Sequence, residues 1–384
     1  MYYDTGYGNW PKVVSRLREL GVTHLRDGLY ANESPEWRDW TERYYRAVEL
    51  AAASGMRFDF GMGEPGARIG SIDELVAVAG GRLRHAAEAL EAPNEFDKGA
   101  RGRGWARRLA DYNRTLFLKV KASPSLRGLP FVGPSFSSIR GPLMVGDLRG
   151  YVDRGNVHAY TGGLSPGPGH LRTELKRASA VSGAKPVWAT EVGFHNALRS
   201  RSRTEQAPVS ERVAAVYLLR TFLEHFRSGI RRTYAYELLD EKPERAGRDP
   251  EQHFGLLRSD FSRKPAFRAL RNLLDVVGTD QGTPELRPLR IGIDGPAGVR
   301  RLVLRRPDGT YLVALWRLDS AWDRDRRRPL RVAPRRVTLA LPGMRDAGVV
   351  DPAVSARPRP ARLRGGRLAL RLGASPVIVT VRQR

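Results

Sequence analysis

Two glutamates stand where an apolar run gives out. Leu90-Glu91-Ala92-Pro93-Asn94-Glu95 and Pro186-Val187-Trp188-Ala189-Thr190-Glu191 each read as a short strand tipped by a carboxylate, and the tips lie 96 residues apart. A lone glutamate in such a place is ordinarily a solvated loop residue. A pair supports a division of labour, in which one carboxyl group protonates a leaving oxygen while the other attacks or activates water, as cleavage of a glycosidic bond requires. Further polar residues fall at or just beyond other strand-like runs: Arg26-Asp27, His158 and Tyr160, and Tyr236-Glu237.

The elements that must position these groups alternate from residue 10 to about residue 280. Trp10 to Leu20 carries Val13, Val14, Leu17 and Leu20 on one helical face and stops at Gly21. Trp40, Tyr44, Val48 and Ala51 mark a second helix, and Trp105, Leu109, Tyr112, Leu116 and Val120 another. A helix at Thr173 to Val181, a long apolar one at Glu211 to Phe226, and one opening at Pro265 follow. Strands are read near 23–27, 57–61, 89–92, 129–132, 154–158, 186–190 and 232–237. Such alternation fits a barrel or a doubly wound sheet. No Gly-x-Gly-x-x-Gly or P-loop follows the first strands, and polar residues gathered at the C-terminal strand ends favour a (β/α)8 TIM barrel. Seven strands are placed where eight close a barrel, so the first strand is read as missing and the natural start as lying upstream of Met1. Beyond Gly278, short alternating runs separated by Pro-Asp-Gly, Arg-Gly-Gly and Gly-Ala-Ser-Pro read as a small antiparallel β-sandwich. The expected division is a barrel over 1–280 and a sandwich over 281–384.

Composition narrows the chemistry. The absence of cysteine excludes disulfides, thiolate nucleophiles and Cys-based zinc sites. Seven histidines form no HExxH pattern, and neither a metal nor a cofactor is expected, with a carboxylate-only calcium site left open. No run approaches the length of apolar sequence that a membrane span needs. The formal charge of +25, from 66 basic and 41 acidic residues, would suit nucleic acid, an anionic cell surface or an acidic polysaccharide. Its arginines are spread along the chain without a recognition motif for nucleic acid, so it reads first as a solvated basic surface. The expected partner is a carbohydrate, acidic ones included. Oligomeric state is left open, as is compartment: secreted or cell-envelope if the chain begins upstream, cytoplasmic otherwise.

In these motifs the sequence resembles the clan of retaining glycoside hydrolases that includes the cellulases, β-xylosidases and arabinofuranosidases on eight-stranded barrels. In that clan the fourth strand ends in Asn-Glu, here Asn94-Glu95, and the seventh carries the nucleophile, here Glu191 within Lys185-Pro186-Val187-Trp188-Ala189-Thr190-Glu191-Val192-Gly193. The sixth often supplies His or Tyr, here His158-Ala159-Tyr160, and the second often ends in Arg, here Arg26. The likeness covers about residues 5–280 and is strongest at the two glutamates.

The resemblance implies that Glu95 is the general acid/base, with a pKa raised to keep it protonated near neutrality. Glu191 is then the nucleophile, and the carboxylates should lie near 5 Å apart. Asn94 would bond the sugar 2-hydroxyl, Arg26 would hold Glu191 or pair with Asp27 or another rim acid, and Tyr160 or His158 would donate to Glu191. Where many relatives carry a tryptophan platform, this chain has Tyr236, followed by Glu237, which either binds hydroxyls or crowds the catalytic acids. Rival readings are a non-catalytic glycan-binding or cell-surface protein on the same fold, and a transglycosidase.

Overall fold

The computed structural model describes residues 5–98, 102–201, 206–278 and 287–382. Seven parallel strands follow one another in chain order: β1 (His24–Gly28), β2 (Arg57–Gly61), β3 (Ala87–Glu91), β4 (Phe131–Val132), β5 (Gly155–His158), β6 (Val187–Val192) and β7 (Thr233–Ala235). The first four pair in sequence, as do the last three, and a parallel bridge from Val132 to Arg154 joins the two sets. Helices α1 (Trp10–Leu20), α2 (Arg38–Ala53), α3 (Ile72–Gly80), α4 (Trp105–Ala122), α5 (Gly141–Val145), α6 (Pro168–Ser182), α7 (Glu211–Arg227) and α8 (Pro265–Val277) lie between and around them. This is TIM-barrel architecture. All seven strands read from the sequence are present. The helix read from Thr173 opens earlier, at Pro168, because proline at the first turn starts it.

Local chemistry explains the boundaries. Asn9 caps α1 by accepting from the Lys12 N–H, and Gly21 closes it at φ +80°, a left-handed geometry that suits glycine. Ser71 and Glu74 form a reciprocal capping box on α3. Along β2, Phe58 and Phe60 stack 5.1 Å apart while Asp59 between them takes the opposite face, as a period of two demands. Trp188 and Tyr234 pack with Ala89 and Val132, four residues on β6, β7, β3 and β4 that can meet only across the barrel interior. Between the edges β7 and β1, Arg232 hydrogen-bonds to His24 at 3.0 Å and pairs with Glu88.

After residue 287 the chain is antiparallel. Its strands are β8 (Gly292–Asp294), β9 (Arg300–Arg305), β10 (Thr310–Trp316), β11 (Trp322–Asp323), β12 (Arg328–Pro329), β13 (Arg335–Ala340), β14 (Asp346–Val350), β15 (Arg359–Arg362), β16 (Arg367–Leu372) and β17 (Val377–Arg382). A five-stranded sheet (β15-β14-β17-β10-β9) and a three-stranded one (β16-β13-β8) enclose a core of Val313, Leu315, Val337, Leu339, Leu370 and Val379. Strand β10 is buried on both faces. Tyr311, Val313 and Leu315 enter that core, while Leu312, Ala314 and Trp316 join the barrel's own core with residues of α7 and α8. The expected boundary at 280/281 lies outside the described residues.

Candidate active site

The strand tips read from the sequence converge. Arg26 is on β1, Asn94 and Glu95 follow β3, His158 ends β5 with Tyr160 just beyond, Glu191 is on β6, and Tyr236 follows β7. Regular alternation would put only one of Thr190 and Glu191 on the inner face. A β-bulge changes that: Val157 pairs with Ala189 but His158 pairs with Glu191, so Thr190 is the extra residue and both side chains turn inward. Glu95 is set by different means. Its φ of +41° is a left-handed conformation that costs a non-glycine residue about 1–2 kcal/mol, and its N–H donates to Ser135 Oγ at 3.1 Å.

Glu191 is held from two sides. Tyr160 donates its hydroxyl proton to Oε1 at 2.5 Å, and Arg26 Nη1 donates to Oε2 at 3.1 Å. Burial, then the Glu191 charge, push the Tyr160 hydroxyl well above its ordinary pKa, so it stays a donor. The alternatives for Arg26 are met together: it is salt-bridged to Glu191 and to a second acid, which is Glu91 and not Asp27. Nε and Nη2 grip both Glu91 oxygens at 2.8 and 2.7 Å, and Nη2 also reaches Asn94 Oδ1 at 2.7 Å.

Glu95 meets His158. His158 Nδ1 lies 2.7 Å from Glu95 Oε1 and 3.8 Å from Glu191 Oε2. One ligand-capable atom from each of Glu95, His158 and Glu191 lies within 4.8 Å of the others. The trio could in principle hold a cation, but the Arg26 guanidinium on Glu191 opposes one there electrostatically. The expectation of a raised Glu95 pKa is corrected. Burial does push the carboxyl up, but the His158 hydrogen bond and charge, helped by Lys98, outweigh it and hold Glu95 below the usual carboxylate range.

At the last strand, Tyr236 is half-buried, its ring edge-on to Phe254 at 5.3 Å and its hydroxyl on Glu251 at 3.0 Å. Glu237 points elsewhere. It is buried, accepts from the Tyr7 hydroxyl at 3.0 Å, and is pushed well above the ordinary range by burial and by neighbouring Glu241. It makes no hydrogen bond to Glu95 or Glu191 among the described residues.

Four site residues went unread in the sequence: Glu91, Ser135, Asn156 and Thr190. Glu91 had a signal, a charge inside the apolar run Leu90-Glu91-Ala92. Asn156 and Thr190 had none, being unremarkable polar residues within strands.

No protein-family profile matches the sequence, and no curated protein does. Solved structures do match. A family 39 glycoside hydrolase from the gut symbiont Bacteroides cellulosilyticus WH2 aligns with TM-score 0.60 and 15% identity, over 98% of this chain and 79% of its own. A family 17 β-1,3-glucanosyltransferase from Rhizomucor miehei aligns with TM-score 0.49 and 16% identity, over 67% of this chain and 90% of its own. A β-glucuronidase from Ruminococcus gnavus gives 0.44 and 16%, over 70% and 45%. The first likeness, spanning nearly the whole chain, shows the fold: a TIM barrel with a β-sandwich, as found in glycoside hydrolases. No described helix is long and apolar enough to cross a membrane.

Proposed function

We propose that this chain is a glycosidase acting on O-glycosidic bonds by a retaining double displacement, with Glu191 as nucleophile and Glu95 as general acid/base. The observation that carries the reading is the convergence of the two carboxylates. An oxygen of each lies within 4.8 Å of the other, which favours the close carboxyl pair of retaining enzymes, about 5–5.5 Å apart, over the roughly 6.5–9.5 Å by which inverting ones admit a water.

Glu191 attacks the anomeric carbon as the bond to the leaving oxygen breaks, and a proton from Glu95 completes the departing alcohol. Water then attacks the glycosyl ester, Glu95 takes its proton, and Glu191 leaves as carboxylate. Arg26 and Tyr160 donate to Glu191 at both ends of the cycle, which suits a group that alternates between nucleophile and leaving group. Because His158 holds Glu95 on the ionised side, the proton for the leaving oxygen belongs to the Glu95–His158 pair and not to Glu95 alone. Asn94 commits its carbonyl oxygen to Arg26 and Ser135, reserving its amide N–H groups for the sugar 2-hydroxyl. Tyr236 offers an aromatic face to sugar C–H groups. Glu237, turned onto Tyr7, is assigned no part in binding.

The test is a screen of aryl glycosides and of neutral and acidic polysaccharides, followed by NMR of the first-formed anomer. Retention with turnover lost in Glu191→Ala is the expected result. Inversion, or full activity of that variant on its substrate, would refute the assignment. Product analysis with added sugar acceptors separates hydrolysis from transfer.

A further inference from the structure

Glu91 lies four residues before Glu95, on β3, and is fully buried. Its carboxylate is the junction of the inner layer of the barrel. Oε2 accepts from Arg26 Nε at 2.8 Å. Oε1 is within reach of Arg26 Nη2 (2.7 Å), Asn156 Nδ2 (3.1 Å) and Thr190 Oγ1 (3.2 Å). Thr190 has one hydroxyl proton, which it gives to Glu91 or to Asn156 Oδ1 at 2.8 Å. Its lone pairs then accept from His158 Nε2–H at 3.2 Å, which turns the opposite ring nitrogen, Nδ1, to Glu95. From one buried group, one arm runs through Arg26 to Glu191 and a second through Thr190 and His158 to Glu95.

We propose that Glu91 is a positioning residue that sets both candidate catalytic carboxylates at once, fixing Arg26 against Glu191 and, through Thr190, the His158 ring against Glu95. The proposal rests on the retaining-glycosidase reading. An arginine side chain has several rotatable bonds and would not by itself hold Nη1 on Glu191, but the two-pronged grip of Glu91 leaves its fork a single orientation. The ionisable groups around Glu91 are Arg26 on β1, Asp59 on β2 and, one step removed, His158 on β5 and Glu191 on β6. Asp59 is buried with neither oxygen hydrogen-bonded among the described residues, and it is pushed up first by burial and then by the Glu91 charge. Glu91 is thus the partner that takes the cation.

Glu91→Gln tests this, since it keeps the volume but turns an amide N–H toward Arg26 or Asn156. Turnover of a dinitrophenyl glycoside found in the screen should fall on the order of 10²-fold with KM unchanged, as small misplacements of reacting groups do. The Glu191 midpoint, read by 13C NMR of labelled glutamate carboxyls and by the acid limb of the pH profile, should move up as Arg26 swings away. An unmoved midpoint with wild-type turnover overturns the proposal. So does a midpoint moved down with turnover kept, the sign of an Arg26 that stays in place and has merely lost a neutralising charge. Should Glu91→Gln not fold, Thr190→Val decides: it cuts only the second arm, and should lower kcat and move the basic limb while leaving the acid limb in place, whereas a wild-type profile overturns the proposal. Full activity of Glu191→Ala would instead remove the glycosidase assignment beneath it.

Discussion

At the scale of single residues the site is governed by where protons rest. Glu95 is pulled up by burial and down by His158, and His158 wins. His158→Ala leaves burial opposed chiefly by the Lys98 charge alone, so the Glu95 midpoint should rise in a 13C carboxyl titration; a midpoint unchanged or lower would show that the imidazole is not what holds it. A carboxyl whose folded pKa is depressed contributes stability that is complete above its unfolded value, near 4.5, and is lost as pH falls through the folded value. Asp59 has the opposite sign. Burial, then Glu91, raise it well above 3.8, so the folded state keeps a proton that the unfolded chain releases, and stability drains as pH rises past the unfolded value. Asp59→Asn removes that loss. Urea unfolding should show the variant gaining on wild type from about pH 4 to pH 7, and an equal difference at both pH values would contradict the raised titration.

At the scale of elements, the end of β6 is packed against the end of β7 without room for a methyl group. A Cβ on Gly193 would collide with the Tyr236 carbonyl oxygen and lie 3.3 Å from the Phe254 ring. Gly193→Ala must therefore part the two strand ends that carry Glu191 and Tyr236. We expect a loss of about 1–3 kcal/mol in chemical denaturation, together with lower turnover; wild-type values for both would mean that the strand ends yield freely. The bulge at Thr190 belongs to the same scale. Alternation along Val187–Val192 is legible in the sequence, but the one-residue register shift against β5 is not, since it arises from pairing with residues some thirty positions away.

At the scale of the whole molecule, barrel and sandwich are joined through a buried polar junction inside an apolar interface. Glu224 of α7 is 1% exposed and accepts from Trp316 Nε1 at 2.8 Å and from Arg300 at 2.7 and 2.9 Å, both on sandwich strands. Arg220, also buried, reaches the Ala374 and Asp319 carbonyls and Ser165. Glu224→Ala strands an indole N–H and a guanidinium in the interface and should cost about 3–5 kcal/mol, read as a fall in the urea midpoint. A loss under about 1 kcal/mol would show the junction to be no more than a surface pair. Sandwich strands read least well from sequence were those without alternation. Arg359–Arg362, holding Arg, Pro and Ala, is a strand only because β14 pairs with it, and Gly292–Asp294 only because β13 does.

What the sequence determined by itself was local: helix starts at Trp10 and Pro265, the apolar strands, and two glutamates at strand tips, because first-turn prolines and periodicities act over a few residues. Tertiary structure decided which of the polar residues meet. Arg26 is 65 residues from Glu91 and 165 from Glu191, and Tyr7 is 230 from Glu237. Those distances close only when the strands stand side by side around one interior. There Glu91 becomes the residue on which the others are hung, Glu237 is drawn away from the cleft, and Glu95 gains the histidine that sets its charge.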